Sequence, residues 1–380
     1  MNDRSQVTLV TGFPTSFLAV RVVKKILAEE PRAALRLVVQ DKFMERALSE
    51  LERMDAHDAE RVTVLEGDAA AMDLGLSGRE FVQLASEVDV IHHCAAITYL
   101  GVDAKAAHEL NVGGTREVLE LAQEADHLAR LVHWSSALVS GGRRGYVLEE
   151  ELLAPDGFRN AIEETRFQAE ELVRRASGAI PTTILRPAII VGDSVTGEID
   201  RLEGPYLLVL LMLNAPADLR MPLPGRGDVP LNLAPVDYVV DAGFAIARDR
   251  RALGKTFHLV DPEPVTARRV FELIARAAGR PVPRGFLPTN LATALLRTPG
   301  VERFAHVPRA FLEQLATEVV YDDRNARDIL DELDVPCPPF ESYVGVMVDY
   351  VQRQQATRRA QTTASEDTGR ADADPAVAGE

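Results

Sequence analysis

The chain has 380 residues, 46% of them hydrophobic and 26% charged, which is ordinary globular composition with ample material for a buried core. Its net charge of −16 excludes a phosphate-backbone partner such as DNA or RNA, which needs a basic face. Two cysteines, Cys94 and Cys337, lie too far apart for a disulfide framework and read as free thiols of a reducing compartment.

In chain order, the opening residues run straight into a strand pattern, with no basic start followed by an apolar stretch. No signal peptide is read there, and a cytoplasmic location is expected. VTLVT (7–11) reads as a strand and 17–29 as a helix; LRLVV (35–39) as a strand and 42–54 as a helix. RVTVLEGD (61–68) and VDVIHHCAA (88–96) are strands, followed by a helix over 113–125. LARLVHWSS (128–136) is a strand, 160–176 a helix and TTILRP (182–187) a further strand. Continuous Val/Ile/Leu runs suit strands buried on both faces, and their alternation with helices predicts a doubly wound parallel sheet. After Pro187 the chain becomes rich in Gly, Pro and long apolar side chains. The run at 205–217 is too short to span a bilayer and reads as a buried or pocket-lining helix, with Met212 and Met221 as candidate lining. TFHLVD (256–261) is one more strand, and 265–279 an amphipathic helix capped by Thr266 and stopped by Gly279. Further helices are expected over 305–350, where a homodimer contact would have room to form.

The expected organisation is a Rossmann-like α/β domain over 1–187, with its sheet completed by 235–262. A smaller, mostly helical substrate-side lobe takes 188–234 and 263–353, and 354–380 reads as a disordered tail.

The turn after the first strand is the place where a dinucleotide pyrophosphate meets a helix N-terminus. Thr11 and Gly12 open it, Thr15 and Ser16 stand where a second glycine is usual, and Phe17, Leu18 and Ala19 begin the helix. A strand–turn–helix with no ligand is an equally good reading of this stretch alone. Other pieces add to it. Asp68 ends the third strand and is placed to accept from an adenine amino group. Ala95 and Ala96 leave room for a cofactor, and Asn111 starts the next helix. Gln40, Asp41 and Lys42 at the end of the second strand send mixed signals, since a carboxylate favours a free ribose hydroxyl and a base a 2′-phosphate. Between NAD and NADP the reading leans to NAD.

Taken together, TG (11–12), GD (67–68), HHCAA (92–96), NVGGT (111–115), SSALVSGG (135–142), LRPAIIVG (185–192) and PVDYVVDA (235–242) resemble an extended short-chain dehydrogenase/reductase, over roughly residues 5–280. The stretches from His92 to Thr115 and from Leu233 to Val240 are most similar to its fatty acyl-CoA reductase and thioester reductase branch. The resemblance implies a nicotinamide cofactor and an apolar acyl or polyketide-like substrate; no spacing of His, Cys, Asp or Glu resembles a metal site, so no metal is expected. It places Ser136 at the catalytic Ser/Thr, and Pro187 in the wall beside the nicotinamide. It also puts a Tyr-x-x-x-Lys pair at 162 and 166, where this chain has Ile162 and Arg166. The family's tyrosine moves the proton that accompanies hydride, and its lysine lowers the tyrosine pKa and holds the ribose. Ile162 has no proton to give, and Arg166 keeps only the charge. No lysine occurs between Lys105 and Lys255, so the motif has not shifted within that region. Tyr99, in the loop after the fourth strand, is a candidate replacement acid, although packing of the loop explains it as well. His92, His93 and His133 read as core histidines, and Glu163 and Glu164 as a solvated helix start, with a buried, raised Glu164 as the sharper alternative. Three functions stay open: a reductase with a non-standard site; an inactive relative that senses nucleotide or scaffolds a partner; and an isomerase, cyclase or lyase on the same fold.

Overall fold

Branched aliphatic runs in the first 260 residues make strands because their side chains pack on both faces of a sheet. A computed structural model describes residues 5–99, 101–216, 218, 222–224, 226–287 and 318–371. The strands in chain order are β1 (Val7–Thr11), β2 (Ala34–Val39), β3 (Val62–Glu66), β4 (Val90–His93), β5 (Arg130–Trp134), β6 (Gly145–Val147), β7 (Thr182–Pro187) and β8 (Ile189–Val191). They continue with β9 (Leu223–Pro224), β10 (Leu233–Pro235), β11 (Thr256–Leu259), β12 (Phe286–Leu287) and β13 (Val319–Tyr321). The helices are α1 (Phe17–Glu29), α2 (Met44–Glu52), α3 (Ala56–Ala59), α4 (Gly78–Glu87), α5 (Ala104–His108), α6 (Gly114–Glu124) and α7 (Ala161–Ala176). After them come α8 (Pro205–Asn214), α9 (Val236–Arg248), α10 (Ala267–Ala277), α11 (Arg324–Leu330) and α12 (Phe340–Ala371).

Seven strands form one all-parallel sheet in the order β11-β7-β5-β4-β1-β2-β3. The order reverses between β1 and β4, which opens a crevice at the carboxyl ends of the strands. Every residue of β1, β5, β7 and β11 is buried, so their lack of apolar–polar alternation follows from helices on both faces. On one face α1 and α9 pack on Val10, Val132, Trp134 and Leu185; on the other, α4, α6 and α7 pack on Leu9, Ile91, Leu131 and Ile184. Gly243 lets α9 lie on the sheet, for a Cβ there would stand 2.3 Å from the Trp134 ring.

The second lobe has its own core, in which Tyr206, Val209 and Met212 of α8 meet Phe271 of α10 and Met347 of α12. The α8 sequence is apolar nearly all round because neighbouring helices cover it. Met212 is therefore a core residue, while Met221 lies outside the described residues. Short parallel pairs, β8 with β10 and β6 with β13, tie this lobe back to the sheet domain. Thr266 does cap α10, accepting from the Arg269 N–H, and Gly279 follows its end at φ +65°. The segment read as a disordered tail from 354 is corrected as far as Ala371, because α12 runs through it. Its Gln, Ala and Arg residues are good helix formers, and a helix already anchored by Tyr343, Met347 and Val351 extends at little cost. The helices expected over 305–350 are present as α11 and α12; 305–317 lie outside the described residues. Both cysteines are free thiols, and no helix among the described residues is long and apolar enough to cross a membrane.

Candidate functional site

The crevice is built first by one glycine. Gly12 has φ +93°, and a Cβ on it would lie 2.9 Å from the Ala95 backbone, so the ends of β1 and β4 approach as closely as backbone allows. The N–H groups of Thr15 and Ser16 turn inward onto the Gly12 carbonyl, at 3.0 and 2.8 Å. Ser16 then caps α1, its Oγ accepting from the Ala19 N–H at 3.2 Å. The inward turn leaves the first-turn N–H groups of α1, at Phe17 and Leu18, to meet an anion; both residues are half-buried at the crevice. A dinucleotide pyrophosphate would here be held by the Phe17 and Leu18 N–H groups, since those of Thr15 and Ser16 already donate to the Gly12 carbonyl.

Thr11 belongs to the floor. Its Oγ1 accepts from the Ala95 N–H at 3.1 Å and contacts His93 Nδ1 at 2.9 Å. His93 Nε2 meets Thr115 Oγ1 at 3.0 Å, and that hydroxyl donates to the Asn111 carbonyl at 2.7 Å. Thr115 therefore accepts from Nε2–H, Thr11 donates to Nδ1, and His93 is held neutral. Burial first, then His133 and Arg166, pushes its pKa well down, in agreement with that tautomer. His92 receives the Trp134 indole N–H at 3.3 Å, and His133 stacks on His93 at 5.4 Å with both ring nitrogens buried and unpaired. All three are core histidines. Around the crevice, Asp68 accepts from the Ala70 N–H at 3.0 Å, Ala96 is half-buried, Gln40 makes no side-chain cap, and Asp41 and Lys42 are exposed.

The catalytic end is different. Asn160 caps α7 by accepting from the N–H groups of Ile162 and Glu163 at 3.0 Å each. Ile162 is half-buried. Arg166 is buried, and its Nη2 donates to the carbonyls of Trp134 and Ser135, both at 2.7 Å, while burial pulls its pKa down to about 10. It thus grips the end of β5. Ser136 follows directly, and its Oγ accepts from the Leu138 N–H at 3.2 Å, which leaves its own O–H to donate. The Asn111 amide bridges the loop after β4 to α7: it donates to the Ile97 carbonyl at 3.1 Å and Thr165 Oγ1 at 2.9 Å, and accepts from the Ile97 N–H at 2.7 Å. The Tyr99 ring lies under Arg201, 4.3 Å from its guanidinium. Pro187 ends β7, fully in the sheet. Of the two glutamates at the start of α7, Glu163 is the buried one, raised by burial against the pull of Arg159, and Glu164 is exposed. The helix cap decides this, since Glu163 folds back to accept from the Arg159 N–H at 3.0 Å.

Three features were not read from the sequence. Glu170, fully buried, accepts from Ser135 Oγ at 2.6 Å, Arg186 Nη2 at 2.6 Å and Arg174 Nε at 2.8 Å. Burial would raise its pKa, but Arg186 outweighs burial and holds it at about 2. The spacing Glu170-x-x-x-Arg174 on one helix face was the available signal. Glu149, fully buried, accepts from the Asn325 and Ala326 N–H groups at the start of α11, at 2.6 and 3.2 Å, from 176 and 177 residues away in sequence. A strap between β8 and α8 is pinned to α1 by Arg21, which meets Asp193 at 2.9 Å and Glu198 at 2.7 Å. Next to Ser136 in the chain, a small open pocket is walled by Ala137, Leu138, Ala188, Ile189, Arg159 and Tyr321 among others.

Comparison with known proteins bears on the family and the fold. Residues 10–243 match the male sterility protein family of NAD-binding domains. The chain is 31% identical over 221 residues to glycine betaine reductase ATRR of Emericella nidulans, covering 56% of this chain and 17% of that protein. It is 28% identical over 239 residues to fatty acyl-CoA reductase wat of Drosophila melanogaster, covering 56% of this chain and 46% of that protein. The chain thus spans less than half the length of either curated relative. Among solved structures, the terminal R domain of the myxalamid PKS-NRPS pathway superposes with TM-score 0.79 at 24% identity, over 93% of this chain and 92% of that one. UDP-glucuronic acid 4-epimerase from Bacillus cereus, in complex with NAD, superposes with TM-score 0.66 at 18% identity, over 92% of this chain and 97% of that one; both show the shared fold. The chain belongs to the male sterility protein family, within the reductase branch of the extended short-chain dehydrogenase/reductases.

Proposed function

From that membership we propose that the chain binds NAD across the carboxyl ends of β1, β2 and β4 and reduces a lipophilic acyl thioester, at a site without the usual tyrosine. The observation that carries this reading is the Gly12 turn. It brings β1 against Ala95 and turns the α1 amides toward the crevice, an arrangement that costs backbone strain for any other residue and is needed for a phosphate cradle. When bound, the dinucleotide supplies hydride. The chain's own residues do the rest. The O–H of Ser136 holds the carbonyl oxygen of the substrate, Arg166 fixes the strand end that carries Ser136, and Ala137, Leu138 and Ile189 give the acyl chain an apolar wall. NAD is taken over NADP on Gln40 and Asp41 at the end of β2. Calorimetric titration with NAD, NADH, NADP and NADPH tests the cradle, and single-turnover hydride transfer to acyl-CoA thioesters tests the chemistry. Binding of none of the four below millimolar sinks the reading.

A second reading, a nucleotide-sensing or scaffolding protein without catalysis, is favoured by one observation. Arg166 and Asn111 spend their hydrogen bonds on backbone groups and Thr165, which ties them to the scaffold instead of a substrate. Tight binding with no hydride transfer to any thioester, ketone or aldehyde would select it.

A further inference from the structure

The loss of a phenol at position 162 does not weigh equally on every reduction that a bound dinucleotide supports. This inference rests on the thioester reading above. An acyl thioester offers two successive reductions. In the first, hydride adds to the carbonyl carbon, a C–H bond forms, and the tetrahedral oxyanion restores its C=O as the C–S bond breaks. The electron pair leaves on sulfur; the acyl carbon gains two electrons and the dihydronicotinamide loses them. No proton goes to the carbonyl oxygen, and a thiol with pKa of about 8.5 is a leaving group that departs as its anion. In the second, hydride adds to the aldehyde and leaves an alkoxide with nothing to expel. Its basicity is comparable with that of hydroxide, whose conjugate acid has a pKa of about 15.7. That oxygen must take a proton. A positioned acid is worth about 10²–10⁴ in rate, so its loss falls on the second step.

Among the described residues, the groups around the site do not restore the acid. Ser136 has an O–H to hold the oxyanion but no base or cation hydrogen-bonded to it to release the proton. The Arg166 guanidinium is turned onto the carbonyls of Trp134 and Ser135, to which its Nη2 donates. Tyr99 is turned under Arg201, and the Tyr321 hydroxyl in the pocket wall is paired with buried Ser140 at 3.1 Å. Arg159 is held by Glu163 at 2.8 Å.

We propose that this chain is a two-electron reductase that converts an acyl thioester to the aldehyde and releases it. The aldehyde must then be consumed by a different reaction class, either a carbonyl reductase with its own acid or condensation with an amine.

The test gives the full chain octanoyl-CoA and NADH or NADPH deuterated at the transferable position, with products identified by mass spectrometry. The expected product is octanal with one deuterium, equal in amount to the free CoA thiol, with octanol below about 1% of it. Octanal supplied directly should be left unreduced. Ile162→Tyr, alone and with Arg166→Lys, should gain reduction of supplied octanal at least about tenfold, toward the range an acid contributes. Doubly deuterated octanol as the main product of the unaltered chain would overturn the inference while leaving the thioester reading intact. Tyr321→Phe would then abolish octanol alone if Tyr321 were the acid. Thioester left unreduced with dinucleotide bound overturns the thioester reading and this inference with it. Because the supplied-octanal measurement uses the unaltered chain, a misfolded variant does not rescue the proposal.

Discussion

The amino ends of α1 and α7 both open onto the carboxyl edge of the same sheet, and they have diverged to different degrees. At α1 the family's glycine pattern is reduced to Gly12 and Ala19, yet the turn keeps its shape because backbone amides, not side chains, make it. At α7 the helix and its Asn160 cap are in place, and the proposed site has Ile162 and Arg166 where the resemblance implies a tyrosine and a lysine. A site built from backbone tolerates substitution wherever φ and close approach are respected. A site built from one phenol and one ammonium does not tolerate their loss, since no neighbour inherits the same geometry.

The largest effect expected on this contrast comes from beneath both ends. Glu170→Ala leaves Arg186 buried without its carboxylate and should cost about 3–5 kcal/mol, read by denaturant unfolding. An unchanged midpoint would show that the cluster does not hold β5 to α7. The same interior sets the acid response. His92 and His133 are pushed down to about 4 and about 3, both by burial first, so the unfolded chain binds more protons below its ordinary histidine value of 6.5. Glu170, at about 2 instead of 4.5, adds stability that is present above 4.5 and lost as pH falls toward 2. Stability should therefore decline steadily from pH 6.5 downward, and a flat profile between 6.5 and 4.5 would contradict the buried neutral histidines.

At the nucleotide end, Gly12→Val forces a branched side chain into φ +93° and against Ala95. Strain of about 1–3 kcal/mol and at least about a tenfold loss of dinucleotide affinity are expected. If calorimetry finds affinity unaltered in a folded variant, the cradle lies elsewhere. His133→Phe removes two buried, unpaired nitrogens while keeping the stack on His93, and should raise stability by about 1 kcal/mol. A loss would point to an unseen partner for the ring. The smallest effect belongs to the strap. Arg21→Ala breaks two partly exposed ion pairs and should cost about 0.5–1 kcal/mol in melting experiments, less at high salt.

Much of this was legible in the chain. Period and composition place the seven strands of the sheet, the Thr266 cap and Gly279 stop mark α10, and the order of short motifs identifies the family. The slot at 162 and 166 was located from the resemblance, by its distance along the chain from Ser136. The tail was misread because polar composition alone does not distinguish a solvated helix from a disordered segment; the anchoring came from Met347 and Val351, which precede it. Glu163 and Glu164 were indistinguishable until the cap turned one inward.

The sequence by itself determined the sheet, the crevice at its carboxyl edge and the absence of a phenol at 162, because strand burial and residue identity are local properties. Only the tertiary structure decided what the replacements do. Arg166 faces the Trp134 and Ser135 carbonyls, Thr11 is spent on His93, and Glu149 caps a helix 176 residues away, because hydrogen-bond partners are chosen by distance in space and desolvation, which no local pattern encodes.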